Sequence, residues 1–109
     1  MKLQFVEWKP MVKNTLRGFA TVKIPSIGLT IKEVTLHEKF GKRWAGLPAR
    51  PMIGKDGRAL TDVDTGKVQY QSLLNFESRH AADEFSKAVI DCVEEYEPNV
   101  FADLVDRIA

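Results

Sequence analysis

Cations and aromatic side chains lie close together near the middle of this chain. The residues concerned are Lys39, Phe40, Lys42, Arg43, Trp44, Arg50, Lys55 and Arg58. Lysine and arginine bind phosphate groups, and aromatic faces and guanidinium planes stack on unpaired bases. We therefore expect these eight residues to form a nucleic-acid-binding surface, with single-stranded DNA or RNA favoured over duplex.

The two aromatic residues of this stretch are interpreted differently. Phe40 precedes Gly41 in a predicted hairpin turn, where exposure is expected. Trp44 fits two environments, an exposed stacking position or a core position beneath a helix, and the sequence leaves both open. Each cation alone is compatible with an ordinary surface charge, so the prediction depends on their clustering.

Residues that catalyse reactions or bind metal ions do not form a recognisable set. The chain contains no HExxH, CxxC or GxSxG motif, and neither His37 nor His80 lies beside a cysteine or serine motif. Asp91, Glu94 and Glu95 belong to a predicted helix face that has no histidine to complete a metal site. The sequence therefore predicts a non-enzymatic protein without a metal ion or cofactor.

The elements that must position these residues follow a β-then-α order. Glycine and proline punctuate the first two thirds of the chain, and the last third contains one proline and no glycine. Alternating apolar residues predict strands over residues 3–8, 18–24, 29–38, 43–47 and 68–76. The predicted fold class is α+β, with a curved antiparallel sheet of four or five strands in residues 1–76 and a helical part in residues 78–109. At 109 residues, a single domain is expected.

One predicted strand contains a break in its alternation. Leu29 and Ile31 share a face, whereas Val34 and Leu36 have the opposite parity. A β-bulge near residues 32–33 inserts one extra residue and restores a common face. We therefore expect a bulge there, with all four side chains in the core.

The C-terminal part has the apolar spacing of an amphipathic helix followed by a shorter one. Ser78 is a suitable N-cap, and apolar residues recur with helical period from Ala81 to Tyr96, before Pro98 ends the helix. Asn99 caps the predicted short second helix. Its apolar residues are Phe101, Leu104, Val105 and Ile108. They pack either on the chain's own core or on a partner subunit, and the second alternative predicts a homodimer through these four residues.

Charge is distributed unevenly along the chain. Residues 1–67 contain thirteen Lys and Arg against six acids, a net charge of +7, whereas residues 68–109 contain three against nine, a net charge of −6. Such a chain presents one surface that attracts polyanions and another that repels them. Cys92 is the single cysteine, and no apolar run is long enough for a signal peptide or a membrane span. These features predict a cytoplasmic protein that does not bind a membrane.

Six short motifs lie between Leu16 and Asp62. They are Gly18-Phe19-Ala20, the apolar strand ending at Ile24, Ile31-x-x-Val34, Gly41-x-x-Trp44, Leu47-Pro48-x-Arg50 and Asp56-Gly57-Arg58. Together they resemble the SpoVG family of small bacterial DNA- and RNA-binding regulators. The resemblance implies a twisted antiparallel sheet with a C-terminal helix, a dimer, and nucleic-acid binding through the basic loop after Pro48. Carried over by position, it favours Arg50, followed by Lys55 and Arg58.

The chain departs from that family's pattern, and two alternatives stay open. One basic residue, Arg50, follows Pro48 where the family has adjacent basic residues. The order of elements is also similar to the single-strand-binding transcription-coactivator fold, in which the curved sheet of a dimer binds unpaired strands. A function of another class is a protein-interaction or assembly module that docks a partner through the acidic helix and the terminal apolar residues.

Overall fold

The computed structural model describes residues 1–101, which form a four-stranded sheet, a two-stranded sheet and one helix. The elements are β1 (Gln4–Lys13), β2 (Leu16–Ile24), β3 (Leu29–Lys39), β4 (Lys42–Gly46), β5 (Ala49–Pro51), β6 (Tyr70–Ser72) and α1 (Arg79–Tyr96). The first sheet has the order β1-β2-β3-β4, and β5 pairs with β6. Every pairing is antiparallel. The predicted α+β class is confirmed.

One face of the four-stranded sheet forms the core together with α1. The buried apolar residues are Ala20, Val22, Val34, Leu36, Phe85, Val89, Cys92, Val93, Val100 and Phe101. The buried strand residues are two apart, because strand side chains alternate between faces. The buried helix residues are three or four apart, because helix side chains recur on one face at that spacing. The Ser78 side chain accepts a hydrogen bond from the Ala81 N–H at 3.1 Å, which confirms the predicted N-cap.

The predicted bulge in β3 is confirmed. Ala20 pairs with Val34 and Val22 with Ile31, so two β3 residues, 32 and 33, lie opposite one residue of β2. The bulge buries Val34 and leaves Ile31 partly buried against the core. Leu29 is exposed, contrary to the prediction, because it begins the strand directly after an exposed turn.

Two predicted strand boundaries are wrong. β1 continues through Pro10 to Lys13, since β1 is an edge strand and proline is tolerated where one side of the strand has no partner. The strand predicted over residues 68–76 is confined to Tyr70–Ser72. The Ser72 hydroxyl bonds to the Leu74 carbonyl and to Asn75 Oδ1, each at 2.8 Å, and these local bonds replace a continued ladder.

The end of the described chain is a turn that returns to the core. Residues 99–101, where the second helix was expected to begin, form a turn, and the Val100 N–H donates to the Glu97 carbonyl at 3.0 Å. Phe101 is buried in the core. Leu104, Val105 and Ile108 lie outside the described residues. Within residues 1–101, no helix combines the length and the apolar character needed to cross a membrane.

Candidate nucleic-acid interface

The β3–β4 hairpin ends in a tight turn that presents an aromatic ring to solvent. Lys39 pairs with Lys42, so Phe40 and Gly41 alone form the turn. Both have positive φ angles, 50° and 79°, as a type I′ turn requires. Phe40 is 97% exposed, and Lys39 Nζ lies 5.6 Å from the centre of its ring. The exposure expected of Phe40 is confirmed, and two cations flank it.

Trp44 lies on β4 and stacks on His37 of β3. The ring centres are 5.3 Å apart and the planes differ by 6°. His37 is held in turn by a 2.9 Å hydrogen bond between its Nδ1 and Thr15 Oγ1. Burial, with a smaller contribution from the charge of Arg17, lowers the pKa of His37 below its ordinary 6.5. Trp44 itself is 36% exposed, so His37 covers one part of the indole and another part stays accessible to solvent.

Arg43 is held by partners within the chain. Its Nε lies 2.9 Å from Glu38 Oε2, and its Nη1 lies 3.3 Å from Glu94 Oε1 on α1. The guanidinium carbon also lies 4.6 Å from the centre of the Phe101 ring. Two carboxylates therefore balance the charge of Arg43, and its contact with Glu94 links the hairpin to the helix.

A groove of about 570 Å³ runs between β4 and α1 beside this hairpin. It is lined by Lys42, Arg43, Trp44, Arg79, Asp83, Ser86, Lys87 and Ile90. The lining contains four cations and one carboxylate. Lys42 and Lys87 make no ion pair with any residue in the described part of the chain, and Arg79 lies 3.8 Å from Asp83 with both side chains exposed.

Arg79 and Lys87 are the groove cations that the sequence prediction missed. Both lie in the C-terminal part that was assigned to the acidic surface. Their spacing of eight residues places them on one helix face, together with Ser86 and Ile90. The helical spacing could have shown that Arg79 and Lys87 share a face of α1. It could not have shown that this face meets the basic hairpin, because that depends on how α1 packs against β4.

A short hydrogen bond fixes the width of the groove. The backbone N–H of Ala45 donates to Ser86 Oγ at 2.6 Å, and this bond joins the outer edge of β4 to the helix. β4 is the edge strand of its sheet, so this N–H has no neighbouring strand to pair with. The helix therefore covers part of the strand edge and holds the two walls of the groove in register.

The remaining predicted cations lie in another part of the molecule. Arg50 belongs to β5, and Lys55 and Arg58 flank the Asp56-Gly57 turn, where the Asp56 side chain accepts the Arg58 N–H at 3.0 Å. All three are exposed, and none lines the groove. The eight predicted residues are thus divided between the hairpin with its groove and the segment that follows β4.

Groups capable of metal or nucleophile chemistry are dispersed. Among residues 1–101, no three His, Cys, Asp or Glu side chains are grouped as a metal ion requires. Burial, and to a lesser extent the charge of Glu95, raises the pKa of the Cys92 thiol, which keeps it protonated at neutral pH. His80 Nε2 lies 3.1 Å from Glu84 Oε1 on the exposed side of the first helical turns.

The electrostatic and aromatic features of the groove therefore define the candidate interface. They comprise two lysines that make no ion pair within residues 1–101, an exposed arginine and an accessible indole, with Phe40 at the adjoining tip. Comparisons of the chain with known protein families, curated proteins and solved structures found no match.

Proposed function

We propose that this protein is a non-enzymatic, cytoplasmic nucleic-acid-binding protein that binds single strands through the β3–β4 hairpin and the adjoining groove. The observation that carries the proposal is the groove lining, in which Lys42, Arg79 and Lys87 occur together with the partly exposed Trp44. In this proposal the cations contact phosphates, and Trp44 and Phe40 stack on bases. A homodimer, which doubles the number of phosphate contacts on one strand, is part of the proposal.

The preference for single strands follows from the chemistry of the aromatic residues. A stacking contact needs the face of a base, and in a duplex that face is covered by its neighbours. The groove volume, about 570 Å³, falls within the range of about 300–1,000 Å³ typical of small-ligand sites. A groove of this size suits individual nucleotides better than a double helix.

A salt titration tests the electrostatic part of this proposal. Labelled single-stranded DNA, single-stranded RNA and duplex DNA are titrated at several salt concentrations. Lys39, Lys42, Arg79 and Lys87 provide about four phosphate contacts per subunit, so the log–log slope for single strands is expected near −3 for one subunit and near −6 when both subunits of a dimer bind one strand. A slope near zero would remove the basis for polyanion binding, and tighter duplex binding at equal salt would overturn the preference for single strands.

Charge reversal tests the position of the interface. The double variant Lys42→Glu/Lys87→Glu changes two unpaired groove cations and is expected to weaken single-strand binding at least about tenfold at moderate salt. Lys13→Glu/Lys32→Glu is the matched control, because both lysines are exposed outside the groove and the net charge changes by the same amount. Equal losses in both variants would place the interface elsewhere.

The alternative function is a protein-interaction module that docks a partner through the terminal apolar residues. The burial of Phe101 supports it less than the exposed cations support nucleic-acid binding. Phe101 is 7% exposed and packs in the chain's own core beside the Arg43 guanidinium. A buried ring is unavailable to a partner without local unfolding. Nucleic-acid binding is therefore the function that the exposed side chains support best.

A further inference from the structure

The stack of Trp44 on His37 has a direction that the strand pairing sets. The two residues lie directly opposite each other on β4 and β3, and opposite residues of an antiparallel pair have Cβ atoms about 4.5–5.5 Å apart. Their ring centres are 5.3 Å apart, and their planes differ by only 6°. The two rings therefore stack along the direction that runs across the strands.

This direction leaves one face of the indole free. β4 is the last strand in the order β1-β2-β3-β4, so no strand of this sheet lies on the far side of Trp44. Within residues 1–101, no other ring stacks on Trp44, which is 36% exposed. The indole face that turns away from His37 therefore points beyond the sheet edge, where Trp44 lines the groove together with Lys42 and Arg79.

His37 is held in place by the turn between β1 and β2. Its Nδ1 shares a 2.9 Å hydrogen bond with Thr15 Oγ1. The Thr15 carbonyl accepts the Glu38 N–H at 2.9 Å, which binds the turn to β3 next to His37. Arg17 Nη1 donates to the Asn14 carbonyl at 2.9 Å and fixes the same turn. These bonds hold the imidazole against the indole.

We propose that His37 is a positioning residue for a base-binding subsite, in which one unpaired base stacks on the free face of Trp44. The inference rests on the proposed function and assigns one base of the strand to one side chain. In the bound state, the imidazole, the indole and the base form three parallel layers. Because His37 fixes the plane of the indole before the strand binds, the strand does not have to order this side chain on binding.

A phosphate contact lies within reach of the subsite. Lys42 is two residues from Trp44 in a regular part of β4, so both side chains leave the strand on the same face, about 7 Å apart along it. Lys42 makes no ion pair with any residue in 1–101. A nucleotide whose base lies on Trp44 can therefore place its phosphate near Lys42. Since every base has a π-face, the subsite requires a base and tolerates any of them.

An abasic strand tests the proposal, because it keeps the phosphates and lacks the bases. The full-length protein is titrated with a DNA single strand of about twelve nucleotides, and with the same strand in which abasic residues replace every nucleotide. The wild-type protein is expected to bind the normal strand at least about fivefold more tightly, the smallest factor that one stacked base contributes. His37→Ala is expected to weaken binding of the normal strand at least about threefold and to leave binding of the abasic strand unchanged.

His37→Phe is the matched variant, because a phenyl ring keeps the stack on Trp44. It is expected to retain most of the difference between the two strands. A second measurement follows Trp44 without nucleic acid, in a Trp8→Phe background that leaves Trp44 as the single tryptophan. The fluorescence anisotropy of Trp44 is expected to fall in His37→Ala and to stay unchanged in His37→Phe.

Four results would overturn this inference while the proposed function stands. The wild-type protein binds both strands equally, His37→Ala weakens both by the same factor or neither of them, or His37→Phe loses as much affinity as His37→Ala does. In each of these cases the wild-type protein still binds the normal strand. If it binds neither strand, the proposed function fails and this inference fails with it.

Discussion

At the residue scale, Phe40 occupies a position that costs the protein stability. It combines a φ of 50° with 97% exposure, although Asn or Gly suits this backbone position better and an exposed ring gains nothing from burial. Phe40→Asn is therefore expected to raise the free energy of unfolding by about 0.5–1 kcal/mol and to weaken single-strand binding. Denaturant unfolding and strand titration measure the two effects.

Phe40→Ala separates the effect of the aromatic ring from the effect of the positive φ at this position. Alanine removes the aromatic face but retains the cost of a positive φ, so it is expected to weaken binding like Phe40→Asn without the gain in stability. If both variants bind single strands as tightly as the wild-type protein, Phe40 is not a base-stacking residue.

His37 provides a pH dependence of known sign. Because its pKa is lowered in the folded protein, the unfolded chain takes up the proton at a higher pH than the folded chain does. The contribution of neutral His37 to stability is therefore complete above pH 6.5 and is lost as the pH falls through the lowered folded pKa. Denaturant midpoints measured across this range are expected to fall with the pH.

The variant that tests this prediction is His37→Gln. It is expected to flatten the acid side of the stability profile, because it removes the titrating group that stacks on Trp44. A His37→Gln profile that falls with the pH as steeply as the wild-type profile would contradict the role assigned to His37.

At the element scale, the packing of β1 on β2 depends on the absence of a side chain at Gly18. A Cβ there would lie 2.5 Å from the Lys9 carbonyl oxygen and 2.5 Å from the Trp8 ring. Gly18→Ala is therefore expected to lower the free energy of unfolding by about 1–3 kcal/mol, because a backbone oxygen in a paired strand cannot move aside cheaply. Denaturant unfolding measures this loss.

Gly46→Ala is the control for this effect. A Cβ at Gly46 would meet Thr35 Oγ1 at 2.7 Å, which is a side-chain atom that can rotate away. A smaller loss than that of Gly18→Ala is expected. If both variants lose the same free energy of unfolding, the cause is a change in the conformational freedom of the strand backbone and not the contact with Lys9 and Trp8.

Periodic elements could be predicted from the sequence because their signals are local. The core face of α1, its N-cap and the bulge in β3 followed from spacing alone. Strand ends were less predictable. Pro10 continues β1 because an edge has no second partner, and Ser72 ends β6 through side-chain bonds that alternation does not reveal.

At the scale of the whole molecule, the division of charge along the chain does not become a division between two surfaces. Glu94 of the acidic helix contacts Arg43 of the basic hairpin, and Arg79 and Lys87 join Lys42 in one groove. Helical packing therefore sorts the charges by helix face rather than by position in the sequence. Residues 49–75, none of which is buried, add exposed apolar side chains and a net charge of +1.

Composition and local periodicity determined the fold class, the core face of the helix and the presence of a hairpin with a basic, aromatic tip, because each depends on residues close together in the chain. The tertiary structure alone decided which cations lie together, since Arg79 and Lys42 are distant in sequence and line one groove only when α1 packs against β4. It also decided that two carboxylates neutralise Arg43 and that no residue from 49 to 75 is buried. Burial and ion pairing depend on contacts between segments that are distant in the sequence, and the spacing of residues along the chain does not predict such contacts.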